Sequence, residues 1–167
     1  MVYSFNADDI LRIAEQIEIN GFKFYLKAAD LTEDKETKQV LTDLAKMENE
    51  HQQTFATMRA HLKAKEKKQG TFDPLDEATA YLQAFANGHV FDTKTDATEL
   101  LTGKETSEEI LKMAIGREKD AIVFFLGIGQ VVPKELGQKR VDKIIGEEMS
   151  HITMLSNRLA ILEKGKT

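Results

Sequence analysis

A long internal repeat constrains this sequence more than any other feature. Two sets of one glutamate and one Glu-x-x-His motif lie one hundred residues apart with identical spacing: Glu18, Glu48 and His51, then Glu118, Glu148 and His151. Apolar residues recur at the same offset: Ile10, Leu11, Ala14, Phe24 and Leu26, then Ile110, Leu111, Ala114, Phe124 and Leu126. One long period that contains two helical patterns indicates a duplicated helical hairpin rather than a solenoid. Two hairpins make a four-helix bundle, so the predicted fold class is all-α.

Helix signals divide the chain into four segments. We predict helices over about residues 7–30, 35–68, 107–129 and 133–164. Asn6 is placed to cap the first helix, and Thr106-x-x-Glu109 is a capping box for the third. Pro133 suits the first turn of the fourth helix. Both turns within the hairpins are short, so each hairpin should pair two antiparallel helices.

The segment between the hairpins, about residues 69–105, does not repeat. Within it, Asp73-Pro74 and Asn87-Gly88 bound a pattern typical of a short amphipathic helix. A connection of this length can travel the whole bundle and start the third helix at the far end, as in ferritin-like bundles. We therefore predict one domain over residues 1–167, with hairpins at about 7–68 and 106–164.

The six repeated polar residues fall on the apolar stripes of their helices, where hydrophobic residues flank them. Four ionised carboxylates in one core would cost several kcal/mol per ion without counter-charge. Two divalent cations would balance them, and each Glu-x-x-His motif places its two side chains on one helix face. The pattern predicts a dinuclear metal site; a duplicated relic that has lost its metal remains an alternative.

Other candidates near this set are weaker. Three acidic residues point away from the stripe by helical geometry and are expected to be solvated: Glu15, Glu50 and Glu147. His61 and His89 lack partners at ligand spacing and are expected on the surface. Tyr25 lies two turns beyond Glu18, so it either donates a hydrogen bond into the site or is an ordinary core tyrosine. Three helix-interior glycines suggest close approach or local distortion beside the site: Gly21, Gly116 and Gly146.

Composition excludes several classes. A formal charge of −5 argues against a nucleic-acid partner, because phosphate binding needs clustered Lys and Arg. The absence of cysteine excludes disulfides and thiolate metal sites within these 167 residues. The longest apolar run, Ala121 to Gly129, is shorter than the roughly 20 residues that span a membrane. Residues 1–9 lack the features of a signal peptide, and we expect a soluble, cytoplasmic protein.

Four segments together resemble the rubrerythrin family of ferritin-like di-iron carboxylate proteins. They are Glu18-Ile-Asn-Gly-Phe-Lys-Phe-Tyr25, Glu48-Asn-Glu-His51, Arg117-Glu118-Lys-Asp-Ala and Glu148-Met-Ser-His151. Two departures qualify the resemblance. Rubrerythrins usually carry a rubredoxin-like site built from two Cys-x-x-Cys pairs, which this sequence lacks. They also usually carry a further glutamate where this sequence has Ala121, the counterpart of Gly21.

The resemblance implies that Glu48 and Glu148 bridge two iron ions, with Glu18 and His51 on one ion and Glu118 and His151 on the other. It further implies an oxidoreductase, a peroxidase or oxidase that reduces hydrogen peroxide or dioxygen and draws electrons from an external donor. Tyr25 is its candidate catalytic residue, and a homodimer is the expected assembly. Mn would favour catalase-like chemistry, and Zn would leave no redox chemistry. Ferritin-like iron oxidation and storage, and a metal-binding module without turnover, remain the alternatives.

Overall fold

In the part of the chain that the structure, a computed structural model, describes, the protein has four long α-helices. The structure describes residues 6–63, 80–81, 84, 97–132 and 134–165. The helices are α1 (Ala7–Leu31), α2 (Lys35–Ala60), α3 (Ser107–Val131) and α4 (Gln138–Lys164). Short 3-10 turns at Ala97–Leu100 and Lys134–Leu136 precede α3 and α4. The predicted all-α class and four-helix bundle are confirmed.

Capping fixes the starts of three helices. The Asn6 side chain accepts from the Asp9 N–H at 2.9 Å, and the Asp9 carboxylate accepts from the Asn6 N–H, which completes a capping box. Thr106 and Glu109 form the predicted capping box at α3. Asp34 caps α2 by accepting from the Thr37 N–H at 2.8 Å. The sequence signals for α1 and α3 are therefore confirmed.

Two apolar clusters, each drawing on all four helices, make up the core. Cluster one includes Leu11, Phe55, Phe125 and Ile144. Cluster two includes Phe24, Leu44, Leu111 and Leu155. In every helix the repeated polar residues lie between the residues of the two clusters. The candidate site is thus a polar layer between two apolar layers.

The order of the clusters along each helix defines the topology. Helices α1 and α4 run from cluster one to cluster two, whereas α2 and α3 run from cluster two to cluster one. Each hairpin is therefore antiparallel, as predicted, and α2 is parallel to α3. The chain leaves α2 at the cluster-one end and begins α3 at the cluster-two end, so the connection between them traverses the bundle.

Helix α2 is shorter than predicted. It ends at Ala60 rather than near Lys68, and the Leu62 N–H donates to the Arg59 carbonyl as the chain turns. Leu62 is then buried in cluster one. The lysines that follow have a high helix propensity, but the burial of Leu62 decides where α2 ends.

Helix α4 begins later than predicted, at Gln138 instead of Pro133. The 3-10 turn and Gly137 come first, and Gly137 has a φ of +122°, which L side chains rarely adopt. Helix α3 in turn continues through Gly127 and Gly129 to Val131. A Cβ on Gly127 would lie 2.4 Å from the Tyr81 ring, so this glycine makes room for a side chain of the connection.

Some predictions fall on parts of the chain that the structure does not describe. The short helix within Asp73 to Gly88 lies mostly outside the described residues, as do His89, Lys68 and Pro133. Within the described ranges, no helix combines the length and apolarity required to cross a bilayer.

Candidate metal centre

The structure brings all six repeated polar residues together in the polar layer. They form two overlapping groups whose candidate ligand atoms lie within 4.8 Å of one another: Glu18, Glu48, His51 and Glu148, and Glu48, Glu118, Glu148 and His151. Each of the six is at most 4% exposed. Glu48 and Glu148 belong to both groups, which is the arrangement expected of two ions with shared carboxylates.

Both histidines turn the same ring nitrogen towards the carboxylates. His51 Nδ1 lies 2.8 Å from a Glu148 oxygen and 3.6 Å from a Glu18 oxygen. His151 Nδ1 lies 3.0 Å from the other Glu148 oxygen and 3.4 Å from Glu48. The two rings are nearly parallel, with centroids 5.6 Å apart. Both Nδ1 atoms therefore face one shared space, and both Nε2 atoms face outwards.

These close contacts do not satisfy the buried atoms as hydrogen bonds. Among the described residues, seven buried atoms of the site have no partner in hydrogen-bond geometry: both carboxylate oxygens of Glu18 and of Glu148, one oxygen of Glu48, and Nδ1 of His51 and of His151. Buried polar atoms are rarely left in this state. Oxygen and imidazole donors aimed at a common space are the ligands that Fe, Mn and Zn accept, so the residues present fit a pair of divalent ions.

Glu18 and Glu118 hold protons more tightly than ordinary carboxylates do. Burial raises the pKa of Glu18 well above its ordinary value, and repulsion from Glu48 and Glu148 adds to this. Burial and repulsion from Glu148 raise the pKa of Glu118 to about 8. Burial also opposes ionisation of Glu148, but contacts with Glu118 and both histidines hold the pKa of Glu148 below its ordinary value. Without cations, protons supply part of the missing counter-charge.

The pKa values of both histidines are raised, which favours their charged forms beside the carboxylates. Burial lowers the pKa of His51, but contact with Glu148 outweighs burial, and the net shift is upward. Burial is likewise outweighed at His151, whose contacts with Glu118 and Glu148 raise its pKa to about 12. Metal ligands must be deprotonated, so ion binding at this cluster would release protons.

Tyr25 and Gly21 extend the site along α1. The Tyr25 hydroxyl donates a hydrogen bond to Glu118 Oε1 while the tyrosine ring packs in cluster two, so Tyr25 is both a core residue and a donor into the site. A Cβ on Gly21 would lie 2.3 Å from Glu48 Oε2, which means the Glu48 carboxylate occupies the space of the missing side chain. The other two glycines differ, because no atom of the described residues that could clash lies within 4 Å of a Cβ on Gly116 or Gly146. The suggested close approach is therefore correct only for Gly21.

A partly buried cation, Arg117, also lies beside the layer. The Arg117 guanidinium sits 5.0 Å from the centre of the Phe24 ring. Burial lowers the pKa of Arg117, and the charges of Tyr25, Glu118 and Glu48 act in the opposite direction. The sequence assigns Arg117 no role beyond its place in a family motif, because a charged residue on a charged helix carries no distinct signal.

The prediction for Glu147 is correct for its solvent exposure but misses its contact with a ligand. Its side chain is 40% exposed, yet Glu147 Oε2 lies 3.1 Å from His51 Nε2. The corresponding outer partner of His151 is Met47, whose Sδ lies 3.2 Å from Nε2. The hundred-residue offset that relates Met47 to Glu147 is visible in the sequence and was the available signal for this pair.

The remaining side candidates have simpler roles. Glu50 and His61 are exposed, as predicted. Glu15 is only 14% exposed and forms an ion pair with Arg59 at 2.8 Å, so the expectation of a fully solvated side chain is wrong for it. A cavity of about 340 Å³ between α2 and α4 borders both His51 and His151 and connects them to the surface.

Comparison with known proteins agrees with this geometry. Residues 1–59, which include α1 and most of α2, match the Rubrerythrin family model. The chain is rubrerythrin-like. A protein from Thermotoga maritima, provisionally described as a ferritin-like diiron-carboxylate protein, has the same fold with a TM-score of 0.71 and 25% sequence identity over 99% of both chains. No curated protein matches the sequence. The predicted resemblance to rubrerythrins and the ferritin-like bundle are thereby confirmed.

Proposed function

We propose that this rubrerythrin-like protein binds two iron ions and reduces hydrogen peroxide, or dioxygen, with electrons from an external donor. The observation that carries the proposal is the pair of buried ligand groups that share Glu48 and Glu148. The match of residues 1–59 to Rubrerythrin and the fold shared with a diiron-carboxylate protein support iron as the metal.

Each half of the repeat would hold one ion. Glu18 and His51 would bind the first ion, Glu118 and His151 the second, and Glu48 and Glu148 would bridge the two. Bound as a pair, two Fe(II) ions would supply one electron each to a small oxidant. The four carboxylates match the four positive charges of two divalent ions, so the loaded site would be formally neutral.

Reduction of peroxide to two water molecules consumes two electrons and two protons as the O–O bond breaks. The Tyr25 hydroxyl points its proton at Glu118 Oε1, beside the space that both ligand groups enclose. Burial and the Glu118 charge raise the pKa of Tyr25 well above its ordinary value, so the hydroxyl stays protonated at neutral pH. We assign Tyr25 the role of holding and donating a proton at this atom.

The two apolar clusters restrict water to one side of the site. Phe24, Phe55 and Phe125 are fully buried above and below the polar layer. The cavity that borders the two histidines offers a path for an oxidant as small as peroxide.

The test is anaerobic loading of metal-free protein with Fe(II), followed by one equivalent of hydrogen peroxide. We expect two bound irons per chain, consumption of one peroxide per chain, and oxidation of both irons. Glu148→Ala should abolish binding of the pair, because it removes a shared ligand, whereas Glu50→Ala should not. Two bound irons with unconsumed peroxide would reject the redox function. Retention of many irons per chain would support iron storage instead.

A further inference from the structure

The outer nitrogen atoms of the two histidines have chemically different partners. His51 Nε2 contacts the Glu147 carboxylate at 3.1 Å, and His151 Nε2 contacts the Met47 thioether at 3.2 Å. Glu147 and Met47 occupy the same position of the repeat, one hundred residues apart. The two halves therefore place a charged acceptor and a weak neutral acceptor at equivalent points.

This difference alters the histidines as ligands. A carboxylate that accepts the outer N–H fixes the ring tautomer, holds the ring in place and makes the inner nitrogen more basic. A thioether sulfur is only a weak acceptor, so it fixes the tautomer and raises the basicity of the inner nitrogen less than a carboxylate does. Glu147 is itself held, because Lys143 Nζ lies 2.9 Å from its second oxygen. His51 is thus better prepared than His151 to bind a cation through Nδ1.

A second, independent difference acts in the same direction. Glu118 accepts a hydrogen bond from the Tyr25 hydroxyl, which withdraws electron density from that carboxylate. Glu18 is the counterpart of Glu118, and within the described part of the chain neither Glu18 oxygen has a hydrogen-bond partner. The residue that corresponds to Tyr25 in the second hairpin is Phe125, which has no hydroxyl to donate. The first half-site therefore has the stronger carboxylate as well as the stronger imidazole.

We infer that the centre is asymmetric by construction: the half-site of Glu18 and His51 binds its ion first and more tightly than the half-site of Glu118 and His151. Glu147 is the positioning residue that sets most of this difference through His51. The inference rests on the two-ion site of the proposed function. It adds an order of loading and a reason for that order.

The test uses Co(II), a redox-stable probe under anaerobic conditions, titrated into metal-free protein by calorimetry. We expect two binding steps whose dissociation constants differ at least tenfold. Glu147→Gln should weaken the tighter step by about 10- to 100-fold and leave the other within about twofold. Glu50→Gln is the matched control, because it removes the same charge from the same cavity; among the described residues no hydrogen bond joins Glu50 to either histidine.

A spectroscopic reading separates this role from a general loss of structure. In the Co(II)-loaded protein the two histidine N–H protons should give two shifted, exchangeable proton resonances. Glu147→Gln should move one of them and leave the other in place. The reciprocal variant Met47→Glu supplies the missing carboxylate to His151 and should bring the two binding steps together.

The outcomes distinguish the inference from the function on which it rests. Equal affinities in the wild-type protein, or a Glu147→Gln variant that weakens both steps alike or neither, would overturn the asymmetry while leaving the two-ion site intact. Binding of fewer than two Co(II) ions would overturn the two-ion site itself.

Discussion

The space above Gly21 allows a sharp test of the site. A Cβ at this position would lie 2.3 Å from Glu48 Oε2 and 3.0 Å from Glu48 Cδ, so Gly21→Ala forces the Glu48 side chain to rotate away. Gly116 and Gly146 are matched controls, because a Cβ on either would meet none of the described residues within 4 Å. All three glycines lie inside long helices.

The expected magnitudes differ between these sites. Replacing glycine by alanine inside a helix stabilises by about 1 kcal/mol, and we expect this gain in full for Gly116→Ala and Gly146→Ala. At Gly21 the same gain is opposed by the cost of an unfavourable Glu48 rotamer, about 0.5–1.5 kcal/mol. The free energy of unfolding of metal-free Gly21→Ala should therefore stay close to that of the wild type.

Metal binding should distinguish Gly21→Ala further from the two control variants. Glu48 belongs to both ligand groups, so its displacement should weaken ion binding. Each tenfold loss of affinity removes about 1.4 kcal/mol of the stabilisation that the ions confer. Urea unfolding with excess chelator and with Co(II) measures both quantities. A Gly21→Ala variant that gains about 1 kcal/mol in both conditions would show that Glu48 does not need this space.

Three further predictions concern other parts of the chain. Arg158 is buried and donates a hydrogen bond to Thr37 Oγ1 at 2.8 Å. Arg158→Met should therefore lower the free energy of unfolding by about 2 kcal/mol without changing metal stoichiometry, and an unchanged urea midpoint would contradict this. Tyr25→Phe removes the donor to Glu118 and should slow peroxide consumption at least tenfold, measured in stopped flow, while two irons still bind. The pKa values of Glu118, raised to about 8, and His151, raised to about 12, mean that the folded metal-free protein binds more protons than the unfolded chain at neutral pH. Its free energy of unfolding should therefore fall by about 2 kcal/mol per pH unit between pH 6 and 8, and a rise in the urea midpoint over this range would refute the prediction.

The sequence determined the positions of the ligands because helical periodicity and the repeat act together. Glu18 and Glu48 could be placed on buried stripes from their apolar neighbours alone, and the structure buries both. The Asn6 cap and the Thr106 capping box were equally local and equally accurate. These predictions needed only the geometry of a single helix and one comparison between the two halves.

The errors arise where a second helix decides the outcome. Helical geometry turns Glu147 away from the stripe of its own helix, but its long side chain reaches His51 on α2. Arg158 interrupts the apolar stripe of α4, and only the structure shows that it meets the start of α2 through Thr37. Leu62 ends α2 early because it packs into cluster one. None of these contacts follows from the periodicity of one segment.

Fusion of the two hairpins into one chain has a consequence for how such a centre can change. In an assembly of two identical hairpins, one codon would encode the residue at both of these equivalent positions, so every substitution would change the surroundings of both metal ions. Here each codon governs a single position. Mutation can therefore alter the protein environment of one ion without changing that of the other.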